Sequence, residues 1–121
     1  MSKEKILVVD DSPTDLKIMC DPFSSKGYDV ITATDGEEAL QKAESEKPDL
    51  MVLDVIMPKM NGFQVCRKIK TTPDLKGIKV LLLTSKNQES DEFWGMKQGA
   101  DAYMTKPFDG NELLAKAEDL L

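Results

Sequence analysis

Five side chains in this 121-residue sequence could together handle a phosphoryl group or a hard cation: Asp10, Asp11, Asp54, Thr84 and Lys106. Three carboxylates within reach of one another repel, which raises at least one pKa unless a cation joins them. An all-oxygen acidic set suits a hard cation, and few carboxylates with room for water suit Mg²⁺ better than a Ca²⁺ cage. A carboxylate beside such a metal can attack phosphorus and form an aspartyl phosphate. Phosphoryl transfer then needs chiefly positioning and neutralisation of the equatorial oxygens, which the Lys106 ammonium and the Thr84 hydroxyl would supply with the metal. Each residue also has a plainer role: Asp10 or Asp11 as a helix cap in "DDSP", Thr84 bonded to a neighbouring backbone group, Lys106 as a solvated cation. Capping accounts for one carboxylate and leaves three at separate strand ends unexplained.

These residues meet only if the elements bring them together. Short apolar runs alternate with helix-period stretches, the pattern of βα units around a parallel sheet. Five runs read as strands: "KILVVD" from Lys5, "DVITA" from Asp29, "DLMVLD" from Asp49, "IKVLLLT" from Ile78 and "DAYMT" from Asp101. The first, third and fourth are almost wholly apolar, as central strands covered on both faces should be; the second and fifth are mixed and fit edges. Ser12 and Pro13 open a first helix carrying Leu16, Met19, Cys20 and Phe23. Pro22 inside it predicts a bend or an early break. Further helices are expected over "TDGEEAL", around Phe63, Cys66 and Ile69, over "ESDEFWGMKQG", and over "NELLAKAEDLL". The fourth is short and weakened by Gly95, with Phe93 and Met96 as its buried stripe and Trp94 near the surface beside Tyr103. The expected fold is α/β, a three-layer doubly wound, flavodoxin-like sheet of five parallel strands in the order 2-1-3-4-5 with five helices. Ligands in such sheets sit beyond the carboxyl ends of the strands. Asp10 and Asp11, Asp54, Thr84 and Lys106 would then share one rim.

Composition narrows the function classes. Residues 1–121 are expected to form one domain, with no separate effector module. A formal charge of -6 argues against nucleic acid or anionic membrane as the main partner. The sequence shows no apolar run of membrane-spanning length and no signal-peptide pattern, so a cytoplasmic location is expected. The two cysteines, Cys20 and Cys66, fit small buried side chains better than a disulfide. With no histidine, zinc sites and Ser-His triads lack their material.

The motifs "VVDDS", "LDVIMPKMNG", "LLLTS" and "GADAYMTKPF" together resemble the receiver domains of two-component response regulators, over essentially the whole chain. The resemblance implies Asp54 as phosphoacceptor. It further implies Mg²⁺ held by Asp11, Asp54 and the backbone carbonyl of Ile56, with Asp10 acting mostly through water. Thr84 and Lys106 would contact the phosphoryl group, and Lys106–Pro107 would be cis. On phosphorylation the Thr84 hydroxyl would move toward the phosphoryl oxygens and Tyr103 would rotate inward, a two-state element biased by a new charge. Ile56 and Lys86, two residues after Asp54 and Thr84, would flank the path of hydrolytic water. Isoleucine cannot orient water by hydrogen bonding, so the aspartyl phosphate is expected to live longer than it would with an amide or acid at that position.

The stretch "TSKNQESDEFWGMKQGADAYMTKPF" looks like stand-alone, chemotaxis-like receivers that control type IV pili. Implied partners are a histidine kinase or histidine phosphotransfer protein as phosphodonor, on another chain, and a downstream motility or output protein. Trp94 with Tyr103 would form the partner surface. Such a module is no enzyme beyond its own phosphorylation and dephosphorylation. Within this class, a phosphate sink and a fragment of a longer regulator stay open. A haloacid-dehalogenase-like hydrolase would carry a second Asp where Ile56 stands, and a flavodoxin-like electron carrier would have a Ser/Thr/Gly-rich phosphate loop.

Overall fold

The computed structural model describes residues 4–121; the first three residues of the N-terminus read above for a signal peptide lie outside them. Strands β1 (Lys5–Val9), β2 (Asp29–Ala33), β3 (Leu50–Leu53), β4 (Lys79–Thr84) and β5 (Ala102–Thr105) alternate with helices α1 (Pro13–Ser25), α2 (Gly36–Glu46), α3 (Gly62–Thr71), α4 (Glu89–Lys97) and α5 (Gly110–Leu120). The strands form one parallel sheet in the order β2-β1-β3-β4-β5, as expected.

The period-2 geometry of the strands divides the core into two layers. Leu7, Val9, Met51, Leu53, Val80 and Leu82 face α2 and α3, where Ala39, Ala43, Val65, Cys66 and Ile69 are buried. Ile6, Val8, Leu50, Val52, Leu81 and Leu83 face the other way, against Met19 and Phe23 of α1 and Leu113 and Ala117 of α5. Runs that are apolar at every position are therefore central strands with helices on both faces. Among the described residues no helix is long and apolar enough to cross a membrane.

Local signals set the helix starts. Ser12, Asp35, Asn61 and Asp109 cap α1, α2, α3 and α5 with side-chain oxygens that accept from backbone N–H groups, and Asn61 and Gln64 complete a reciprocal box. Two expectations need correction. Helix α1 does not break at Pro22 but continues to Ser25. The proline ring lies against the start of α5, where a Cβ on Gly110 would come within 3.2 Å of Pro22 Cγ, so packing offsets the lost hydrogen bond. In α4, Phe93 and Met96 are not a buried stripe: they are 63% and 44% exposed, and Trp94 is 54% exposed. The buried residue of that helix is Gly95. A Cβ there would sit 2.9 Å from Leu82 Cδ1 and 3.0 Å from the Tyr103 ring. Helix α4 thus approaches the sheet by its backbone, which rotates the larger neighbours outward.

Candidate functional site

The sheet ladder continues past the strand ends and aligns the rim. Asp10 N–H donates to the carbonyl of Ala33 (3.2 Å), Asp54 N–H to that of Val9 (3.0 Å) and Lys106 N–H to that of Thr84 (2.8 Å). These bonds fix the backbone at the ends of all five strands just where the side chains turn toward one another. After Asp54 the chain doubles back sharply: Gly62 N–H donates to the Val55 carbonyl at 2.9 Å. A Cβ on Gly62 would fall 2.2 Å from the Asp54 carbonyl oxygen, so only glycine fits this corner.

Asp10, Asp11 and Asp54 each bring a carboxylate oxygen within 4.8 Å of the others'. Asp10 and Asp54 are buried, at 1% and 5% exposure, while Asp11 is open to solvent. Burial first, and the Asp10 charge second, push the Asp54 carboxyl above its ordinary range. Lys106, the backbone N–H of Ile56 and the Thr84 hydroxyl pull the other way without cancelling the rise. The Ile56 N–H donates to Asp54 Oδ1 at 3.3 Å. Three clustered oxygen donors, one of them an aspartate whose charged form burial and the Asp10 charge disfavour, fit a hard divalent cation. The residues present therefore suit Mg²⁺.

Lys106 Nζ lies 2.8 Å from Asp10 Oδ2 and 3.7 Å from Asp54 Oδ2. Burial works to lower its pKa, but the hydrogen bonds to Asp10 and Asp15 and the Asp54 charge raise it, so the ammonium stays charged. Thr84 is fully buried at the end of β4, and its Oγ1 accepts from Lys86 N–H at 3.3 Å. The Lys106–Pro107 peptide is cis. Ile56 stands 52% exposed at the mouth of the site. Lys86 is exposed and pairs at 4.0 Å with Asp91 at the start of α4.

Tyr103 is half-buried against Gly95, and its hydroxyl donates to the Lys86 carbonyl at 2.8 Å. This bond ties β5 to the loop that leaves Thr84. Burial first, then Asp91, Glu92 and Asp54, push the phenol up to about 12. Trp94 borders a cavity of about 460 Å³ with Phe63, Gln64, Arg67 and Gln98, on the α3 side of α4, and Tyr103 lines a groove with Phe108 and Lys116 on the α5 side.

The sequence reading missed Asp15. Its Oδ2 accepts from Lys106 Nζ at 2.9 Å across 91 residues of sequence. In sequence, "SPTD" places an acid at the third position of a helix capped by Ser12, where its N–H reaches Ser12 Oγ at 3.4 Å; that signals the helix start and not the lysine.

Residues 6–118 match the family model described as response regulator receiver domain. The chain is 48% identical over 118 residues to the alkaline phosphatase synthesis transcriptional regulatory protein PhoP of Bacillus subtilis, covering 98% of this chain and 48% of that protein. It is 40% identical over 110 residues to Protein PilH of Pseudomonas aeruginosa, covering 91% of each. It spans about half the length of PhoP and of the similar transcriptional regulator ycf27 of Porphyridium aerugineum. Among solved structures, chemotaxis response regulator CheY4 of Vibrio cholerae superposes with a TM-score of 0.92 at 32% identity, over 99% of this chain and 100% of that one. With that match on a sheet whose strand ends gather three aspartates and a lysine, the chain belongs to the response regulator receiver family.

Proposed function

We propose that this chain is a phosphorylation-activated switch in which Asp54 accepts a phosphoryl group from a phosphohistidine on a histidine kinase or phosphotransfer protein. The observation that carries the reading is the meeting of three carboxylates and the Lys106 ammonium at one rim. An Asp54 carboxylate oxygen forms the new P–O bond while the P–N bond to imidazole breaks. The electron pair stays on that nitrogen, which takes up a proton. Mg²⁺ held by Asp11, Asp54, Asp10 and the Ile56 carbonyl would neutralise charge on the phosphoryl oxygens. Lys106 and Thr84 would hold those oxygens from two other directions, keeping the group aligned with the nucleophile. Thr84 and Tyr103 would carry the change outward, since Tyr103 is tied to the loop that follows Thr84. Hydrolysis would return the carboxylate and inorganic phosphate, with Ile56 and Lys86 beside the path of the water.

The 40% identity to PilH across 91% of both chains supports an output in pilus-based motility or taxis, with a motility protein as downstream partner; the same reading takes the setting as cytoplasmic. The 48% identity to PhoP, of which this chain covers 48%, favours a second reading as the receiver part of a longer regulator.

The test is incubation with Mg²⁺ and acetyl phosphate followed by intact mass spectrometry. One phosphoryl adduct is expected, absent from Asp54→Asn and absent without divalent metal. Failure of both the adduct and beryllofluoride binding would end the reading. The adduct should decay faster in Ile56→Asn, because an amide can hydrogen-bond the attacking water; slower decay removes Ile56 from lifetime control.

A further inference from the structure

Lys106 faces three carboxylates, and they are not equivalent. Asp10 and Asp54 belong to the acidic cluster and are almost completely buried; Asp15, on the first turn of α1, lies outside that cluster with a side chain 44% exposed. The ammonium makes its two short contacts to Asp10 Oδ2 (2.8 Å) and Asp15 Oδ2 (2.9 Å), whereas Asp54 Oδ2, at 3.7 Å, is beyond hydrogen-bonding distance. Lys106 is thus drawn toward α1 and away from the nucleophile.

We infer that Asp15 is a positioning residue that holds Lys106 off the phosphoacceptor and so restrains phosphorylation. The inference rests on the reading of Asp54 as phosphoacceptor and adds a residue to it. A cation bound among Asp10, Asp11 and Asp54 neutralises the Asp10 partner of Lys106, but it does not touch Asp15. To reach a phosphoryl oxygen on Asp54, Lys106 has to give up Asp15. The pair therefore favours the unphosphorylated arrangement. Its worth is that of one partly exposed ion pair, because solvent reaches Asp15. Asp15 also sits at the positive end of α1, with the helix N-terminus behind it, so its loss touches helix stability as well. A change in thermal midpoint alone consequently says nothing about Lys106.

The experiment compares wild type, Asp15→Asn, Asp15→Glu and the double variant Asp15→Asn/Lys106→Ala with its Lys106→Ala parent, all at saturating Mg²⁺. Two quantities are read: the rate of adduct formation from acetyl phosphate, and the Kd for beryllofluoride. Asp15→Asn is expected to accelerate phosphorylation and tighten beryllofluoride binding by about two- to five-fold. Asp15→Glu, which keeps the charge on a flexible arm, should remain near wild type. In the Lys106→Ala background the Asp15 substitution should lose its effect. Equal or slower phosphorylation in Asp15→Asn overturns the inference. So does an acceleration that persists undiminished without Lys106, since that would be direct repulsion of the donor by Asp15. Wild type that neither forms an adduct nor binds beryllofluoride overturns the reading of Asp54 itself, which keeps the two failures apart.

Discussion

Helices α3 and α4 lie side by side on the same face of the sheet, yet they are held there in different ways. Helix α3 buries Val65, Cys66 and Ile69 in a stripe at helical spacing. Helix α4 buries Gly95 and leaves Phe93, Trp94 and Met96 in solvent. Their mutual contacts are slight: Cys66 Sγ approaches the Gln98 carbonyl at 3.6 Å, and Arg67 Nη1 reaches Gln98 Oε1 at 3.5 Å. A helix anchored by interlocking side chains resists displacement, whereas one seated on a single glycine has few apolar contacts to lose. The firm helix begins beside Asp54, and the lightly held one begins just after the loop that joins Thr84 to the Tyr103 hydrogen bond. Asp54 is thus set beside the firmly packed helix, and Thr84 and Tyr103 beside the lightly held one.

The difference can be broken at its two glycines. Gly62→Ala should have the largest effect. Its Cβ would fall 2.2 Å from the Asp54 carbonyl oxygen and 2.8 Å from Val55 Cα, all main chain with no side chain to swing aside. Unfolding in urea should show a loss of about 3 kcal/mol or more, in the upper range for single substitutions. Adduct formation proposed at Asp54 should fall with it, because the backbone that carries Asp54 has to move. A variant of wild-type stability would mean the corner is not closed in the way the Gly62 to Val55 hydrogen bond implies.

Gly95→Ala meets softer obstacles. The tips of Leu82 and the Tyr103 ring lie 2.9 to 3.1 Å from the added carbon. Alanine gains about 1 kcal/mol in helix propensity, against about 1–3 kcal/mol for overpacking. The net loss should stay within about 2 kcal/mol. The clearer signature is expected at Tyr103, whose ring must move and strain its bond to the Lys86 carbonyl. Aromatic NMR resonances of Tyr103 should shift while those of Tyr28, hydrogen-bonded to Glu118 on the far side of the sheet, do not. An unshifted Tyr103 would show that α4 recoils as a body, and that the helix is held even more loosely than its burial suggests.

The same contrast explains what could be read from sequence. Asp10, Asp11, Asp54, Thr84 and Lys106 were legible because each ends or follows a strand whose apolar run is unmistakable, and parallel topology sends every such end to one rim. The α3 stripe was legible because bulky apolar residues recur at helical spacing. In α4 that same rule misled, since Phe93 and Met96 have the spacing of a buried face. A glycine in mid-helix reads as weakness when it is in fact the point of closest approach. The early break allowed for at Pro22 did not occur for a related reason: the ring found a packing partner across 88 positions of sequence, at Gly110. Asp15 escaped because its partner is equally remote. Periodicity reports which face an element buries, and says nothing of an ion pair between α1 and the residue after β5.

The smallest expected effect sharpens the comparison most. Phe93 is 63% exposed, and among the described residues its directed contact is the Lys97 ammonium 5.3 Å above the ring. Such a cation–π pair at an exposed site is worth about 0.5 kcal/mol. Phe93→Ser should therefore change unfolding free energy by no more than about 0.5 kcal/mol, the usual range for a surface position. Ile69→Ala in α3, fully buried, should cost about 2–5 kcal/mol by the cavity it leaves. The two side chains are similar in hydrophobicity, so burial alone separates the outcomes. If Phe93→Ser cost as much as Ile69→Ala, Phe93 would have to be packed inward as its spacing suggests. Gly95 would then face outward, and α4 would be a second firmly seated helix rather than the one free to move.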